Sequence, residues 1–519
     1  MSGLHINYAK THIVWIGSKK YSNEILLPNY NLNWGTTRFT LLGIHFDVEL
    51  DKLLYLNYDP KLVQIKSILR QWEKRYLTPI GKITVIKTLV LPLLNHILMS
   101  IPNPTESYCK ELDKIFFSFL WNNSIHRVKK EVIIKNYEDG GLKMLNLKSF
   151  ISSMKLFWIR QLIFTNRGME HLIPNFNLDK FINCGIDYVT IYLKTLKNKF
   201  WIDVFKSWII LQNHEIVSEV AGDSPLFYNP MIRIGGKPFY NKQMFNNNIR
   251  RVNDIINEDG SFLSFESFCN TYPMIKMNFL EYSSIIHAIK SWIKNSGLDI
   301  PIKKLENPLI MRIIYKVMKC HKSKCFYEIL NHNSSMSTGK TKWSEMLQID
   351  NKEWKKFHKI PFRVTKDCKL QWFQYRIINR ILATNSFLFK INKNDSKYCN
   401  FCLSEEETIE HLLWECDYTQ SFLEEFVIFL EDKTGLVINI TKKSFILGYI
   451  ENNTDIQNTI ALWLKYYVYT SRCTKKSLNL CAAISQMKFY YEIHKFISYR
   501  NSGKEKFDAQ WIRWNQLFY

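Results

Sequence analysis

The sequence predicts a mainly α-helical, multi-domain protein with a small N-terminal antiparallel β-sheet and a compact cysteine- and histidine-containing module towards its C-terminus. Three observations support this fold class. Apolar residues recur at helical spacing through most of the chain. A stretch before residue 50 is rich in β-branched and aromatic residues, which favour strands. The composition, 46% hydrophobic over 519 residues, supplies enough apolar side chains for several cores.

Three segments near the N-terminus predict strands. Residues 13–16 are rich in β-branched and aromatic side chains, and residues 25–27 and 38–46 suggest a second strand pair. The last segment contains Gly43, which permits a bend or a close backbone approach. The pattern predicts an antiparallel pairing and no larger sheet.

Helix start signals follow the sheet. Asp59 as N-cap and Pro60 at the first helical position predict a helix that begins there. Thr78 and Pro79 repeat the signal and predict a second helix, over residues 80–91, that ends or kinks at the proline that follows it.

Helical spacing of apolar residues predicts three more helices of interest. They cover residues 106–121, 147–164 and 370–382, and Asn146 is the predicted N-cap of the middle one. The third helix is both aromatic and basic. Its aromatic residues Trp372, Phe373 and Tyr375 suit either packing against the protein or stacking on bases, and we expect two of the three to pack.

The charge balance favours a polyanionic partner. The chain has 70 Lys and Arg against 47 Asp and Glu, a formal net charge of +23, and such an excess is typical of proteins that bind RNA or DNA. A solubility effect or a biased amino-acid usage would give the same excess. The longest apolar run, residues 89–101, is broken by Pro92, Asn95 and His96, so we expect no membrane span.

The eleven cysteines are too sparse and too irregularly spaced for a disulfide scaffold. We therefore expect a reducing, intracellular location, cytoplasmic and nuclear, and not secretion. Four residues in one short stretch stand out: Cys399, Cys402, His411 and Cys416. Their spacing predicts a closed, structural zinc site in a zinc-knuckle-like module, since four protein ligands leave no open position for a reacting water. The alternative is three buried cysteines and a surface histidine.

The N-terminal residues resemble a known enzyme family. Residues 3–11, GLHINYAKT, are similar to the palm motif GLxINxxKT of reverse transcriptases from LINE-type (non-LTR) retrotransposons, and residues 39–44, FTLLGI, to their FxYLGI motif. Leu41 replaces the usual Tyr of the second motif. The resemblance implies that Lys10 lies near the incoming nucleotide and that the second motif forms a primer grip.

The resemblance continues through the predicted helices. The family pattern W...LS..GR...IK...LP, which belongs to the thumb, is matched by Trp72, Leu77, Gly81, Lys82, Lys87 and Pro92. It implies that Arg75, Lys82 and Lys87 contact the phosphates of a template–primer duplex, which would position the duplex without reading its sequence. An ordinary solvated helix face is the alternative for each of them.

The C-terminal part resembles the family most closely. Residues 140–142, GGL, match a segment that follows the thumb, and residues 372–416 are similar to the family's WFQYRILNRIL...C..C...ET..H....C arrangement. Arg376 and Arg380 are four residues apart, so we expect them to share a helix face beside the metal module and to contact phosphate.

These matches imply four segments in the family's order. They are a palm remnant over residues 1–58, a thumb-like helical domain over 59–165, a helical connector over 166–335 and a C-terminal helical domain with the CCHC zinc site over 336–519. The family's catalytic Tyr-Ala-Asp-Asp motif lies upstream of the segment matched by residues 3–11, and this sequence contains no Asp-Asp pair.

The function expected from the sequence is therefore binding without catalysis. We expect a fragment of a LINE-type reverse transcriptase, an RNA-directed DNA polymerase family, that binds RNA and DNA but does not polymerise, and Mg²⁺ is expected only in a full-length polymerase. The alternatives are a host protein that adopted the zinc module and basic helices for nucleic-acid binding, and a pseudogene relic without a stable fold.

Overall fold

The computed structural model describes residues 37–124, 127–164, 169–215, 224–296, 309–331 and 337–519, together with residues 7, 11, 13–26, 28–29, 34 and 222. Lys10 and most of the matched segment 3–11 lie outside the described residues.

Among the described residues, the β-sheet consists of two short hairpins. Strands β1 (Arg38–Leu41) and β2 (Ile44–Asp47) pair antiparallel. Farther along, β3 (Arg233–Ile234) pairs with β4 (Lys237–Pro238). The predicted N-terminal antiparallel sheet is confirmed as the β1–β2 hairpin. The strands predicted over residues 13–16 and 25–27 are wrong, since none of the described residues in these two segments belongs to a strand.

Helices make up most of the described chain, which confirms the predicted mainly α fold class. In chain order they are α1 Leu53–Glu73, α2 Pro79–Val85, α3 Leu91–Ser100, α4 Glu106–Trp121, α5 Lys130–Ile134, α6 Leu147–Phe164, α7 Leu178–Asn183, α8 Ile186–Leu193, α9 Lys199–Glu215, α10 Lys242–Asn246, α11 Phe265–Thr271 and α12 Phe279–Ser296. They continue with α13 Leu309–Lys319, α14 Ser323–Leu330, α15 Thr338–Leu347, α16 Asn351–Val364, α17 Cys368–Ile378, α18 Asn385–Lys390, α19 Asp417–Thr434, α20 Lys442–Leu447, α21 Asp455–Cys473, α22 Leu480–Arg500 and α23 Lys504–Trp511.

The chain divides into two compact units. The first comprises the described residues within Met1–Ile68, Leu89–Asp113 and Asn146–His332, and the second those within Leu69–Thr88, Lys114–Leu145 and Asn333–Tyr519. The four-segment division inferred from the sequence stays a prediction.

Each unit has its own apolar interior. The first contains two clusters, one in which α6 and α9 supply side chains such as Ile159 and Phe205, and one around Phe227 and Ile289. The second contains a large cluster formed by side chains from α16, α17, α19, α21 and the C-terminal helices. Trp354, Phe373 and Trp463 are among its buried members. Interiors of this extent give each unit a substantial hydrophobic stabilisation.

Helix α1 begins earlier than the sequence predicts. Asp59 is not its N-cap and Pro60 lies inside it, because the helix already begins at Leu53. The side chain of Asn57 explains the difference. Its amide donates to the carbonyl oxygens of His45 and Leu53, and its oxygen accepts from the His45 N–H, so the first turns are fixed against strand β2.

The second predicted helix does begin as expected. The Thr78 side chain caps α2, and Pro79 occupies its first turn. The helix then forms a π-helical segment, Ile86–Val90. It continues as α3, in which Pro92 lies in the first turn. A π turn at this point adjusts the backbone hydrogen bonding just before a residue that lacks an N–H.

The continuous stretch Pro79–Ser100 is the only described helix long and apolar enough to cross a membrane, by length and composition alone. Of its apolar 18-residue stretch, 44% is buried inside the protein, and core helices of other proteins pass the same test of length and composition. The expectation that the chain has no membrane span stays a prediction.

The double glycine of residues 140–142 has a packing role in the second unit. Gly140 has a φ of +83°, and a Cβ there would lie 2.9 Å from the His358 ring on α16. A Cβ on Gly141 would lie 2.1 Å from the carbonyl oxygen of Lys135. Neither position accepts a side chain, so the glycines are explained by close approach within this unit.

Candidate metal centre

A short hairpin presents the first two candidate ligands. Tyr398 and Glu406 form an isolated antiparallel bridge, and the Glu407 N–H donates to the carbonyl oxygen of Lys397 over 2.9 Å. At the tip, the N–H of Leu403 donates back to the carbonyl oxygen of Cys399 over 3.0 Å, with Leu403 in the left-handed region at φ 61°. The chain therefore turns sharply between the two cysteines, and both can face one point.

The other two ligands lie on a helical segment that follows. His411 opens a π-helical turn, His411–Glu415, and its N–H donates to the Thr408 hydroxyl over 3.0 Å. Cys416 is the N-cap residue of α19 and donates its own N–H to the carbonyl oxygen of His411. The wider π turn sets the spacing between the imidazole and the last thiol, and the thiol lies at the positive end of α19.

The four ligand atoms converge. The thiols of Cys399, Cys402 and Cys416 and a ring nitrogen of His411 all lie within 4.8 Å of one another. The Cys399 and Cys416 sulfurs are 4.0 Å apart, and the Cys402 sulfur is 3.3 Å from His411 Nε2. Sulfurs bound to one tetrahedral ion at ~2.3 Å would be separated by ~3.8 Å, so the set fits a metal with little movement. The cluster can therefore hold a metal ion.

The protonation of the thiols favours metal binding. The hydrogen bond between Cys399 and Cys416 raises the pKa of Cys399 and lowers that of Cys416 to about 5, so the two share one proton. Backbone N–H groups of Thr419 and Tyr418 at the start of α19 contribute to the low pKa of Cys416. A thiolate is the form that a metal binds, so the lowered pKa of Cys416 favours its role as a ligand.

A buried ionic network holds the hairpin. Glu407 is fully buried, and Arg472 on α21 donates to its carboxylate through Nε at 2.7 Å, with a terminal guanidinium nitrogen 2.6 Å from the same oxygen as an ion pair. The N–H groups of Asn385 and Asn400 donate to the same carboxylate. The Asn385 amide also reaches the carbonyl oxygen of Tyr398, next to the first ligand. The network therefore ties the metal hairpin to α18 and α21.

The three cationic residues expected to contact phosphates, Arg75, Lys82 and Lys87, differ in their exposure. Arg75 is exposed and lies over the Trp72 ring at 4.5 Å, and Lys87 is exposed on the π-helical segment. Lys82 was expected to contact phosphate, but the structure corrects this expectation, since only 2% of the residue is exposed. Its ammonium group donates to the carbonyl oxygen of Phe119 at 2.6 Å and to the side chain of Asn122, so it ties α2 to α4 and does not reach a phosphate in this conformation.

The expected pairing of Arg376 and Arg380 on one helix face is wrong. Helix α17 ends at Ile378, and Arg380 has a φ of 56° in the turn beyond it. Arg380 forms an ion pair with the buried Glu410 and lies over the Trp343 ring at 4.5 Å, whereas Arg376 lies over Tyr469 at 5.4 Å. The turn after α17 therefore points the second arginine into the protein.

The aromatic residues of α17 mostly pack, as expected. Phe373 and Tyr375 are buried, and Trp372 is partly exposed. Trp372 stacks on Tyr375 with ring centroids 5.3 Å apart. Of these three rings, Trp372 alone retains an exposed edge for a base.

The acids of the N-terminal hairpin are engaged in ion pairs. Asp47 is buried and accepts from the Glu49 N–H and from Arg38 Nε, and these contacts, with Lys52, hold its pKa below the usual value. Glu49 pairs with Lys52 at 2.6 Å and accepts from the Tyr21 hydroxyl. Both carboxylates therefore already have cationic partners.

Some buried polar contacts have no sequence signal of their own. Lys155 on α6 donates to the carbonyl oxygens of Leu98 and Ile101, both at 2.5 Å. Lys465 on α21 donates to the Gln374 side chain at 2.7 Å. Burial lowers the pKa of each lysine to about 7. Both positions resemble ordinary helical lysines until their neighbours are known.

No protein-family model matches the chain.

Proposed function

We propose that this chain is a nucleic-acid-binding fragment of a LINE-type reverse transcriptase, with a structural zinc site and without polymerase activity. The observation that carries the proposal is the convergence of Cys399, Cys402, His411 and Cys416 at the spacing of the family's cysteine motif. The formal charge of +23 supports a polyanionic partner.

Zinc is the metal that fits this ligand set best. Three thiols and one imidazole are soft and borderline ligands, which select zinc over magnesium or calcium. All four positions are supplied by protein, so the role is structural. When bound, the ion would link the hairpin of Cys399 and Cys402 to the start of α19, and the residues of the site perform no chemical step.

The absence of polymerase activity follows from the carboxylates. Nucleotidyl transfer requires two metals held by carboxylates on a rigid palm. The sequence has no Asp-Asp pair, and Asp47 and Glu49 are occupied by Arg38 and Lys52. The same binding function would suit a host protein that adopted this module. A relic without a stable fold fits less well with the large apolar interiors.

The transcript sequence upstream of Met1 distinguishes the three proposed origins of the chain: a longer enzyme, an adopted host module and a relic. An in-frame Tyr-Ala-Asp-Asp there would mean a longer enzyme, a clean first exon would favour an adopted module, and a frameshift would favour a relic.

Salt dependence tests the binding function. We expect the affinity for an RNA–DNA duplex to fall steeply between about 50 and 200 mM salt, because lysine and arginine contacts release counterions from the phosphates. Replacing Arg75 and Lys87 together by Ala should reduce the slope of log affinity against log salt by about 2, at roughly 0.9 per lost contact. The matched control is Lys194→Ala with Lys197→Ala, two exposed lysines of the first unit.

Fluorescence anisotropy of a labelled duplex measures both quantities. An affinity that did not change with salt would refute nucleic-acid binding through charge. A slope equal to that of the control variant would remove Arg75 and Lys87 from the contact surface.

A further inference from the structure

Helix α16 has a long basic face. Its apolar side packs into the core of the second unit through Trp354, Phe357, Ile360 and Val364. The opposite side exposes Lys352, Lys355, Lys356, Lys359 and Arg363, which we call the α16 basic stripe. At a rise of 1.5 Å per residue the stripe extends ~16 Å, with cations every ~5 Å. The helix therefore presents a row of positive charges on a rigid support.

Acidic neighbours neutralise only part of the stripe. Lys359 pairs with Glu138 at 2.5 Å, and Arg363 pairs with Asp455 at 2.6 Å. Lys352, Lys355 and Lys356 form no ion pair with any described residue. Three neighbouring cations at the N-terminal half of the helix are thus available to an external anion.

A cavity of about 740 Å³ adjoins the stripe within the second unit. Lys356, Lys359 and Arg363 line one side of it. The remaining wall includes two aromatic residues, Tyr449 and Trp514. The volume lies in the range of small-molecule sites, so a single nucleotide would fit.

The other polar groups of the cavity suit a nucleobase better than a phosphate. Three amides, Asn452, Asn453 and Gln510, offer both donors and acceptors. Glu451 adds a carboxylate, which repels a phosphate but accepts hydrogen bonds from the amino groups of bases, whereas the Asp455 carboxylate already pairs with Arg363. Three cations of the stripe also line the cavity, so phosphates can follow the stripe to the cavity while the amides and Glu451 meet the base.

We propose that the α16 basic stripe and the adjoining cavity bind single-stranded RNA, with phosphates along the stripe and one unstacked base in the cavity. Single strands are favoured because a base must leave the helical stack to enter a cavity, and unpaired bases do so readily. The amides and carboxylates can also meet the 2′-hydroxyl group, which distinguishes RNA from DNA. The inference rests on the proposed nucleic-acid-binding function and assigns it a site.

The test begins with the unaltered full chain. Its affinity is measured by anisotropy for four labelled probes of equal length: a single-stranded RNA, the same RNA in a duplex, a single-stranded RNA with abasic positions, and the matching single-stranded DNA. We expect the intact single strand to bind most tightly. If the chain bound none of the probes, both the proposed function and this inference would be overturned.

Two sets of variants then separate the stripe from the cavity. Lys352→Ala, Lys355→Ala and Lys356→Ala combined should reduce the salt slope by about 2, at roughly 0.7 per contact for a single strand, for the intact and abasic probes alike. The control replaces Lys433, Lys475 and Lys476, which are exposed in the same unit and away from the cavity lining. Alanine keeps the helix, so the fold should persist.

Tyr449 tests the cavity. Tyr449→Ala should weaken binding of the intact single strand by roughly tenfold through lost stacking and leave the abasic probe unchanged, whereas Tyr449→Phe should bind like the unaltered chain. Circular dichroism and thermal melting confirm that each variant is folded. If the stripe variant binds as its control does while the unaltered chain still binds RNA, this inference fails and the proposed function stands. Equal loss on the intact and abasic probes for Tyr449→Ala, or tighter binding of the duplex or of the matching DNA strand, would also contradict it.

Discussion

Replacing Cys399 and Cys416 by Ser should remove the zinc ion that we propose for this site and strongly destabilise the second unit. The two sulfurs lie 4.0 Å apart and are both fully buried. Binding of structural zinc contributes ~10 kcal/mol or more to the folding of small zinc modules, because the ligands converge only in the folded state. A large apolar core supports the same unit in this protein, so we expect the hairpin to unfold and the rest of the unit to melt at a lower temperature.

Native mass spectrometry and thermal melting measure these two effects. The matched control is Cys473→Ser with Cys481→Ser, since both cysteines are exposed and lie outside the ligand cluster. The control should keep its zinc and its melting temperature. A metal content that did not change in the ligand variant would refute the assignment of the site.

The second large effect is expected at Glu407. Its replacement by Ala would leave the Arg472 guanidinium in the interior, 5% exposed, without the carboxylate that is its ion-pair partner and accepts its Nε hydrogen bond. Breaking a buried ion pair from one side typically costs about 3–5 kcal/mol, because the remaining charge stays desolvated and unpaired. We expect a loss of this order in the free energy of unfolding, and weaker metal binding because the hairpin loses its anchor to α21.

Urea denaturation gives the unfolding free energy of the second unit. Glu415→Ala is the matched control, because its pair with Lys442 is also short, at 2.5 Å, but is exposed to solvent. Exposed pairs contribute about 0–1 kcal/mol. Equal losses for Glu407→Ala and Glu415→Ala would mean that the buried network does not hold the hairpin.

The parts predicted well from the sequence are those that local chemistry determines. The four candidate metal ligands were predicted to converge from their spacing, because a short loop brings nearby cysteines together. Helices α4 and α6 have the predicted bounds, and Asn146 caps α6 through its side chain oxygen. Thr78 likewise caps α2. Caps and apolar periodicity act within a few residues, so the sequence contains them.

The errors come from contacts between distant residues. Pro60 has the local signature of a helix start, but Asn57 binds strand β2 and moves the start back to Leu53. Lys82 matches a phosphate-binding motif, but the carbonyl oxygen of Phe119 on another helix captures its ammonium group. Arg380 continues the helical spacing of α17, but the backbone turns after Ile378. None of these partners is visible in a local pattern.

The α16 basic stripe was visible in the sequence but had no motif to mark it. Its cations repeat at three- and four-residue spacing, which also describes any solvated helix face. The structure adds the cavity beside it, and the cavity depends on residues from α16, from the segment before α21 and from the C-terminal end of the chain.

The central claim is that the chain binds nucleic acid without polymerising it, and one assay on a single substrate tests both halves. The purified chain is mixed with a labelled DNA primer on an RNA template, deoxynucleotides and Mg²⁺ or Mn²⁺, and binding and primer extension are measured in the same samples. We predict that binding persists and falls with salt, while no extension exceeds background. Extension that disappeared when Asp47 and Glu49 were replaced by Ala would contradict the claim, because it would show that these two paired carboxylates hold catalytic metals.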